Sequence, residues 1–270
     1  MKIISLVENI SNNKDIKAKH GLSLYIETNN YKILFDLGPD KTFIENAKSL
    51  NIDLSEVDIV IISHGHKDHG GGLKYFLEIN KKAKIYIRKN AFDKYYTKIL
   101  GFHINIGLDE RLINDRFIFT NSEYIIDNNV QLFSYPTNRK YWPKGNMKLF
   151  NKDGLDNFSH EQNLLIKENN NDYLFCGCGH TGIFNIVNKA EIIVDKNIDY
   201  VIGGYHLYDP ISKKTESIEM ISSLANDLAK KKTKYYTCHC TGIKAYRILK
   251  QSLNDNLEYL YCGDNIEIYR

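Results

Sequence analysis

Short apolar or alternating runs recur along the chain at 2–8, 22–28, 32–37, 59–63, 84–88, 117–120, 130–135, 164–168, 173–178, 200–205, 235–239 and 266–269. Rich in β-branched and aromatic residues and bounded by polar turns, these runs predict strands. Between them apolar residues return every three or four positions, at 41–50, 72–79, 183–192, 216–231 and 244–253, and that spacing predicts amphipathic helices. Early strands follow one another through turn signals such as 29-NNY-31, whereas later strands alternate with helices. Neither an all-strand sandwich nor a doubly wound parallel sheet has that order; two mixed sheets packed together, with helices outside, do. The stretch from about 89 to 160 is the least regular, with aromatic pieces 92-FDKYY-96 and 141-YWPKG-145 joined by polar turns. Long irregular segments in compact domains tend to carry function, so a substrate-covering insertion is expected there.

Length and composition narrow this picture only slightly. With 270 residues, 43% hydrophobic and 26% charged, the chain can build one large core, and a single domain over 1–270 is expected. The net charge of +3 is spread along the chain without a basic stripe, so nucleic acid is not an expected partner. The start, 1-MKIISLVENI-10, lacks the pattern of a secretory leader, and no window nears a membrane-spanning run of apolar residues, which predicts a cytoplasmic protein with no membrane partner. A small-molecule substrate is expected, and self-association is left open. Of the five cysteines, four form two C-x-C pairs, Cys176/Cys178 and Cys238/Cys240, which reads as reduced thiols rather than a disulfide framework.

The chemistry is concentrated at strand ends. After the apolar run 59-IVIIS-63 come His64, His66, Asp68 and His69, then Gly70, Gly71 and Gly72. On a tight loop the four donors can part into two groups, His64 with His66 and Asp68 with His69, and imidazole with carboxylate suits Zn, Mn or Fe better than Ca. The glycines are expected to let the backbone turn sharply beneath the metals. Two sites need more donors, and 173-YLFCGCGHTGI-183 offers Cys178 and His180, while 235-YYTCHCTG-242 offers His239. Each of these reads as strand, ligand, glycine turn, helix. The run 200-YVIGGYHLYDP-210 ends in the same way at His206, which would project toward the same edge, with its preceding glycines giving substrate close access.

H-x-H-x-D-H together with 32-KILFDLG-38 and a distant strand-end histidine resembles the metallo-β-lactamase superfamily of metal-dependent hydrolases. Within it, 20-HGLSLYIE-27, 160-HEQNLL-165, 177-GCGHTGI-183, 203-GGYHL-207 and 239-HCTG-242 resemble the branch named for the dihydropterin ribofuranosylaminobenzene-phosphate synthase. The resemblance implies an αββα sandwich with a binuclear site at one edge of its two sheets. It implies that His64 and His66 bind a first metal, that Asp68, His69 and His239 bind a second, and that the first site is completed by His180 or, alternatively, His160. Many relatives place a bridging aspartate where Gly177-Cys178 stands here, so Cys178 is a weak ligand or none. Asp36 would orient a ligand histidine.

The activity expected from this resemblance is hydrolysis by two divalent transition-metal ions, zinc first, on a phosphoester or cyclic phosphodiester, with carboxylic esters, thioesters and lactones next. Asp68 would bind metal and orient the nucleophile, and His206 would protonate the leaving oxygen. A synthase-like transferase is the alternative, with the many tyrosines and phenylalanines offering stacking surfaces for a pterin. A flavodiiron-like redox role fits less well, because such relatives carry glutamate where His66 stands and need a flavin domain.

Overall fold

Side chains that alternate along the strands sort into layers. In Lys32–Phe35, Ile33 and Phe35 point one way into a cluster with Val130, Leu164 and Phe175, while Leu34 points the other way toward Phe43 and Phe76. The period of two therefore gives each sheet one face for its partner sheet and one for helices. A computed structural model describes residues 1–134 and 137–268. The strands expected over 130–135 and 266–269 reach Tyr135 and Tyr269, which lie outside the described residues.

Two seven-stranded sheets form the sandwich. The first runs from edge to edge as Asn265–Glu267, Lys2–Val7, Ser23–Glu27, Lys32–Phe35, Ile59–Ile61, Lys84–Arg88 and Phe117–Thr120. The second runs as Leu257–Tyr259, Lys234–Thr237, Tyr200–Gly203, Asn171–Cys176, Gln162–Glu168, Val130–Ser134 and Glu123–Ile125. Each sheet is antiparallel in one half and parallel in the other. Helices α1 (Thr42–Ser49), α2 (Lys67–Gly70) and α3 (Leu73–Ile79) belong to the first half of the chain. Phe43 of α1 and Phe76 of α3 pack against the first sheet. Helices α4 (Ile183–Val194), α5 (Ile218–Leu228) and α6 (Ile243–Leu253) cover the second sheet through Ile186, Leu224 and Leu249. Each such fully buried side chain stabilises the fold by about 1.5–3 kcal/mol. The architecture is the expected αββα sandwich.

The stretch 89–160 departs from its expected irregularity. Tyr96–Ile99 and Phe102–Asn105 pair across the turn at Leu100 and Gly101, and Leu149–Asn151 and Gly154–Leu155 join them in a four-stranded sheet. The Leu149 to Thr97 pairing joins segments some fifty residues apart in sequence, so no local pattern announces it. No helix among the described residues is long and apolar enough to cross a membrane.

Candidate metal centre

The parallel halves of both sheets end at one edge, the place where α/β sheets usually put their chemistry. Strand Lys32–Phe35 delivers Asp36 there, and Ile59–Ile61 delivers Ser63 and His64. Asn171–Cys176 leads to Cys178 and His180, Tyr200–Gly203 to His206, and Lys234–Thr237 to His239. The expected order of strand, donor, glycine turn and helix holds at two of these ends, where Gly182 (φ 88°) and Gly242 (φ 73°) start α4 and α6. That left-handed region is open to glycine at little cost.

Four groups of donors form among the described residues: Cys178, His180 and His206 make one, His66, Asp156 and His160 another, and the remaining two hold most of the expected ligands. His64, His66 and His180 bring one ring nitrogen each to within 4.8 Å of one another, and Asp68, His69, Cys178 and His239 do the same with one donor atom each. The Nε2 atoms of His64, His66 and His180 are buried without a hydrogen-bond partner among the described residues. Such orphans are costly in a folded protein, and three converging lone pairs are what a cation would satisfy. The donor chemistry fits the divalent transition metal that the motif implies.

What frees those nitrogens is the grip on the opposite side of each ring. His64 Nδ1 lies 2.8 Å from Ser63 Oγ, which itself donates to Asp36 at 2.7 Å. His69 Nδ1 meets the same Asp36 carboxylate at 2.6 Å. Asn146 holds His180 through a two-point fork, Nδ1 to Oδ1 at 2.9 Å and Nδ2 to the His180 carbonyl at 2.8 Å. Asn9 repeats that fork on His239 at 2.9 and 3.2 Å. Asp36 thus does the orienting expected of it, while Asn9 and Asn146 escaped notice because an asparagine in a polar loop carries no metal-site signature.

Electrostatics separate the two sets. Burial, reinforced by neighbouring histidines, pushes His64 and His180 well below the ordinary imidazole range and His66 down to about 3. All three are neutral, which is the ligating form. In the second set His239 Nε2 lies 3.2 Å from His69 Nε2 and 3.4 Å from Asp68, and Cys178 Sγ lies 3.1 Å from His69 Nε2. Burial opposes charge on His69, but Asp36 and Asp68 overcome it and lift the ring to about 9. Burial would raise Asp68, yet His69 and His239 hold its carboxyl well below the usual range.

His160 stands apart from the first set. Its Nδ1 accepts from the Gly65 amide at 2.9 Å and its Nε2 meets Asp156 at 2.9 Å, so both ring nitrogens are engaged. It groups with His66 and Asp156, and its ring packs against that of Tyr95, tilted by 34° with centroids 4.0 Å apart. His206 reaches the expected edge, 4.2 Å from the His180 ring, and its Nδ1 is buried without a partner among the described residues. His206 (φ 48°), His239 (φ 51°) and Asp36 (φ 61°) all hold left-handed backbone that such residues seldom adopt. His20, which sequence reasoning gave no role, also reaches the centre, its Nε2 3.4 Å from Asp68 Oδ2.

Two expectations about glycine need correcting. Gly71 (φ −63°) and Gly72 (φ −72°) have ordinary helical backbone, so this run makes no sharp turn. They are small because a Cβ on Gly71 would sit 2.3 Å from the Pro39 carbonyl oxygen, and one on Gly72 would sit 2.4 Å from that of Leu37. Gly203 and Gly204 give room to the protein rather than to a substrate, facing the Cys176 carbonyl and Cys240 Sγ. All five cysteines are free and buried, as expected of reduced thiols.

Comparison with known proteins identifies the family. Residues 17–101 match the sequence profile of the metallo-beta-lactamase superfamily. The chain is 31% identical to the 7,8-dihydropterin-6-methyl-4-(beta-D-ribofuranosyl)-aminobenzene-5'-phosphate synthase of Methanocaldococcus jannaschii, across 99% of this chain and 96% of the relative. An uncharacterized protein of the same organism is also 31% identical, across 97% and 98%. Among solved structures, a metal-dependent hydrolase of the beta-lactamase superfamily superposes with a TM-score of 0.84 at 28% identity over the whole of both chains. On this likeness along its full length, the chain belongs to the metallo-β-lactamase superfamily, in the branch that includes that synthase.

Proposed function

We propose that the chain is a hydrolase with a two-metal centre that acts on a phosphoester or cyclic phosphodiester. One observation carries the reading: two donor sets meet at Cys178 and His180 and open on a single cavity of about 480 Å³ that also exposes Asp68 and His206. Divalent ions held there, zinc before manganese or iron, would supply Lewis acidity and an acidified water. Asp68 accepts a hydrogen bond from the attacking water and so orients it. His206 protonates the leaving oxygen. Its ring has space to do so because Gly145, whose added Cβ would lie 3.2 Å from His206 Nε2, has no side chain.

The test is His206→Ala assayed on a panel of phosphodiesters, phosphomonoesters, esters and lactones. Both metals should stay while kcat falls about 10²–10⁴-fold, most for poor leaving groups, which need an acid most. Loss of a metal would make His206 a ligand, equal loss on all leaving groups would remove its acid role, and turnover confined to carboxylic esters would reject the phosphoester. A second reading, synthesis of the product named for the M. jannaschii relative, draws support from 31% identity over 96% of that protein. The expected stacking surface does not favour it, since no tyrosine or phenylalanine lines the cavity among the described residues. Formation of that product by the purified chain would establish it.

A further inference from the structure

Away from the donor atoms the cavity changes character. Ile99, Ile104 and Leu149 of the small sheet, Ile106 just beyond it, and Ile211 on the facing side make walls of branched aliphatic carbon. Ile104 is 47% and Ile211 41% exposed, so large apolar side chains stand open at the mouth of a polar centre. Most polar groups along these walls have partners, the buried Thr97 Oγ1 being the exception. Lys148 pairs with Asp209, Asp209 also accepts from the Ile211 amide at 2.9 Å, and Lys67 donates to the Asn105 carbonyl at 3.2 Å. The wall is also fixed against the donors, because the Lys67 amide donates to the Ile106 carbonyl at 2.8 Å and His66 bridges to Gly107.

An aliphatic wall held in register with a reacting centre selects what is attached to the reacting bond. We infer that the substrate carries, beyond that bond, an uncharged apolar group the size of one or two rings or a branched chain, and that Ile99, Ile104, Ile106, Leu149 and Ile211 select it. The inference rests on the hydrolase reading only for the identity of the bond that breaks. A nucleoside in the same place would bring several ribose hydroxyls and base edges mostly against carbon, where the Thr97 hydroxyl is the one unpartnered group of the small-sheet wall among the described residues. Apolar groups lose nothing there and leave water.

The experiment is calorimetric titration of the metal-loaded protein with a ladder of phosphonates that cannot be hydrolysed: methyl, hexyl, benzyl, naphthylmethyl and ribosyl. Affinity should rise about tenfold or more from methyl to naphthylmethyl, with ribosyl no tighter than methyl. Ile104→Ser with Leu149→Ser should flatten the ladder while metal content stays at its wild-type value, which shows the variant is folded. A flat ladder in the wild-type protein, a ribosyl compound that binds tightest, or a ladder unchanged in the variant would each overturn the inference. If no phosphonate binds, the matching carboxylates decide. A rising carboxylate ladder keeps the apolar pocket and rejects the phosphoester, and its absence rejects the pocket as well.

Discussion

Four histidines of the centre are held from behind by Nδ1, two through Ser63 and Asp36 and two through the carbonyl-and-ring forks of Asn9 and Asn146. Such partners fix the ring's tautomer and direction, and their loss typically costs about 10–100-fold in metal affinity. Asn146→Ala should therefore weaken one site by that factor with the other unaffected, as read by competitive chelation. The rival claims of His160 and His180 separate at the same scale. His180→Ala should empty a site. On the two-metal proposal His160→Ala should keep the metal content and instead leave the Gly65 amide unpaired and Asp156 with the Phe158 amide alone, lowering stability by about 1–3 kcal/mol in denaturant unfolding. If His160→Ala empties a site and His180→Ala does not, the geometric reading fails.

Among the elements, the metal loop and the small sheet show what can be read from a chain. H-x-H-x-D-H after an apolar strand is local, and its donors fall into the two sets that the motif and the resemblance suggested. The glycines that follow were legible as special but not for the right reason, since only the fold reveals the Pro39 carbonyl lying against Gly71. Gly71→Ala should accordingly destabilise the protein by about 1–3 kcal/mol through overpacking, where an ordinary helical glycine would gain from alanine; a stabilised variant would refute the close contact. The strands Tyr96–Ile99 and Phe102–Asn105 were missed because both are short, the second is exposed throughout, and they flank a Leu100-Gly101 turn that reads as part of an apolar run. Leu257–Tyr259 was missed for a similar reason: three residues are too few to show a period.

For the whole molecule, the two donor sets give stability opposite responses to pH once metal is chelated. His64, His66 and His180 have folded values below the ordinary imidazole value near 6.5, so what they contribute is present above that pH and is lost as pH falls, for His66 toward about 3. His69 is raised to about 9, so its contribution is present below about 6.5 and is lost as pH rises through 9. Melting temperatures of the chelated protein should peak near pH 6.5 and fall more steeply on the acid side, where more groups act. A profile flat from pH 4 to 9 would contradict these environments.

The edge at which both sheets end also has a meaning in time. Its donors span the chain from His64 to His239, and the fork that steadies His239 comes from Asn9, 230 residues away. The closing strand Asn265–Glu267 then pairs with Lys2–Val7 at the opposite end of the sequence. A chain growing from its N-terminus presents His64, His66, Asp68 and His69 long before it has made their partners. Throughout synthesis those side chains form an incomplete chelate, open to whatever ion is at hand and unable to hold it tightly. In the proposed two-metal centre the full donor set exists only once the last strands have docked, so metal loading would report that folding is complete.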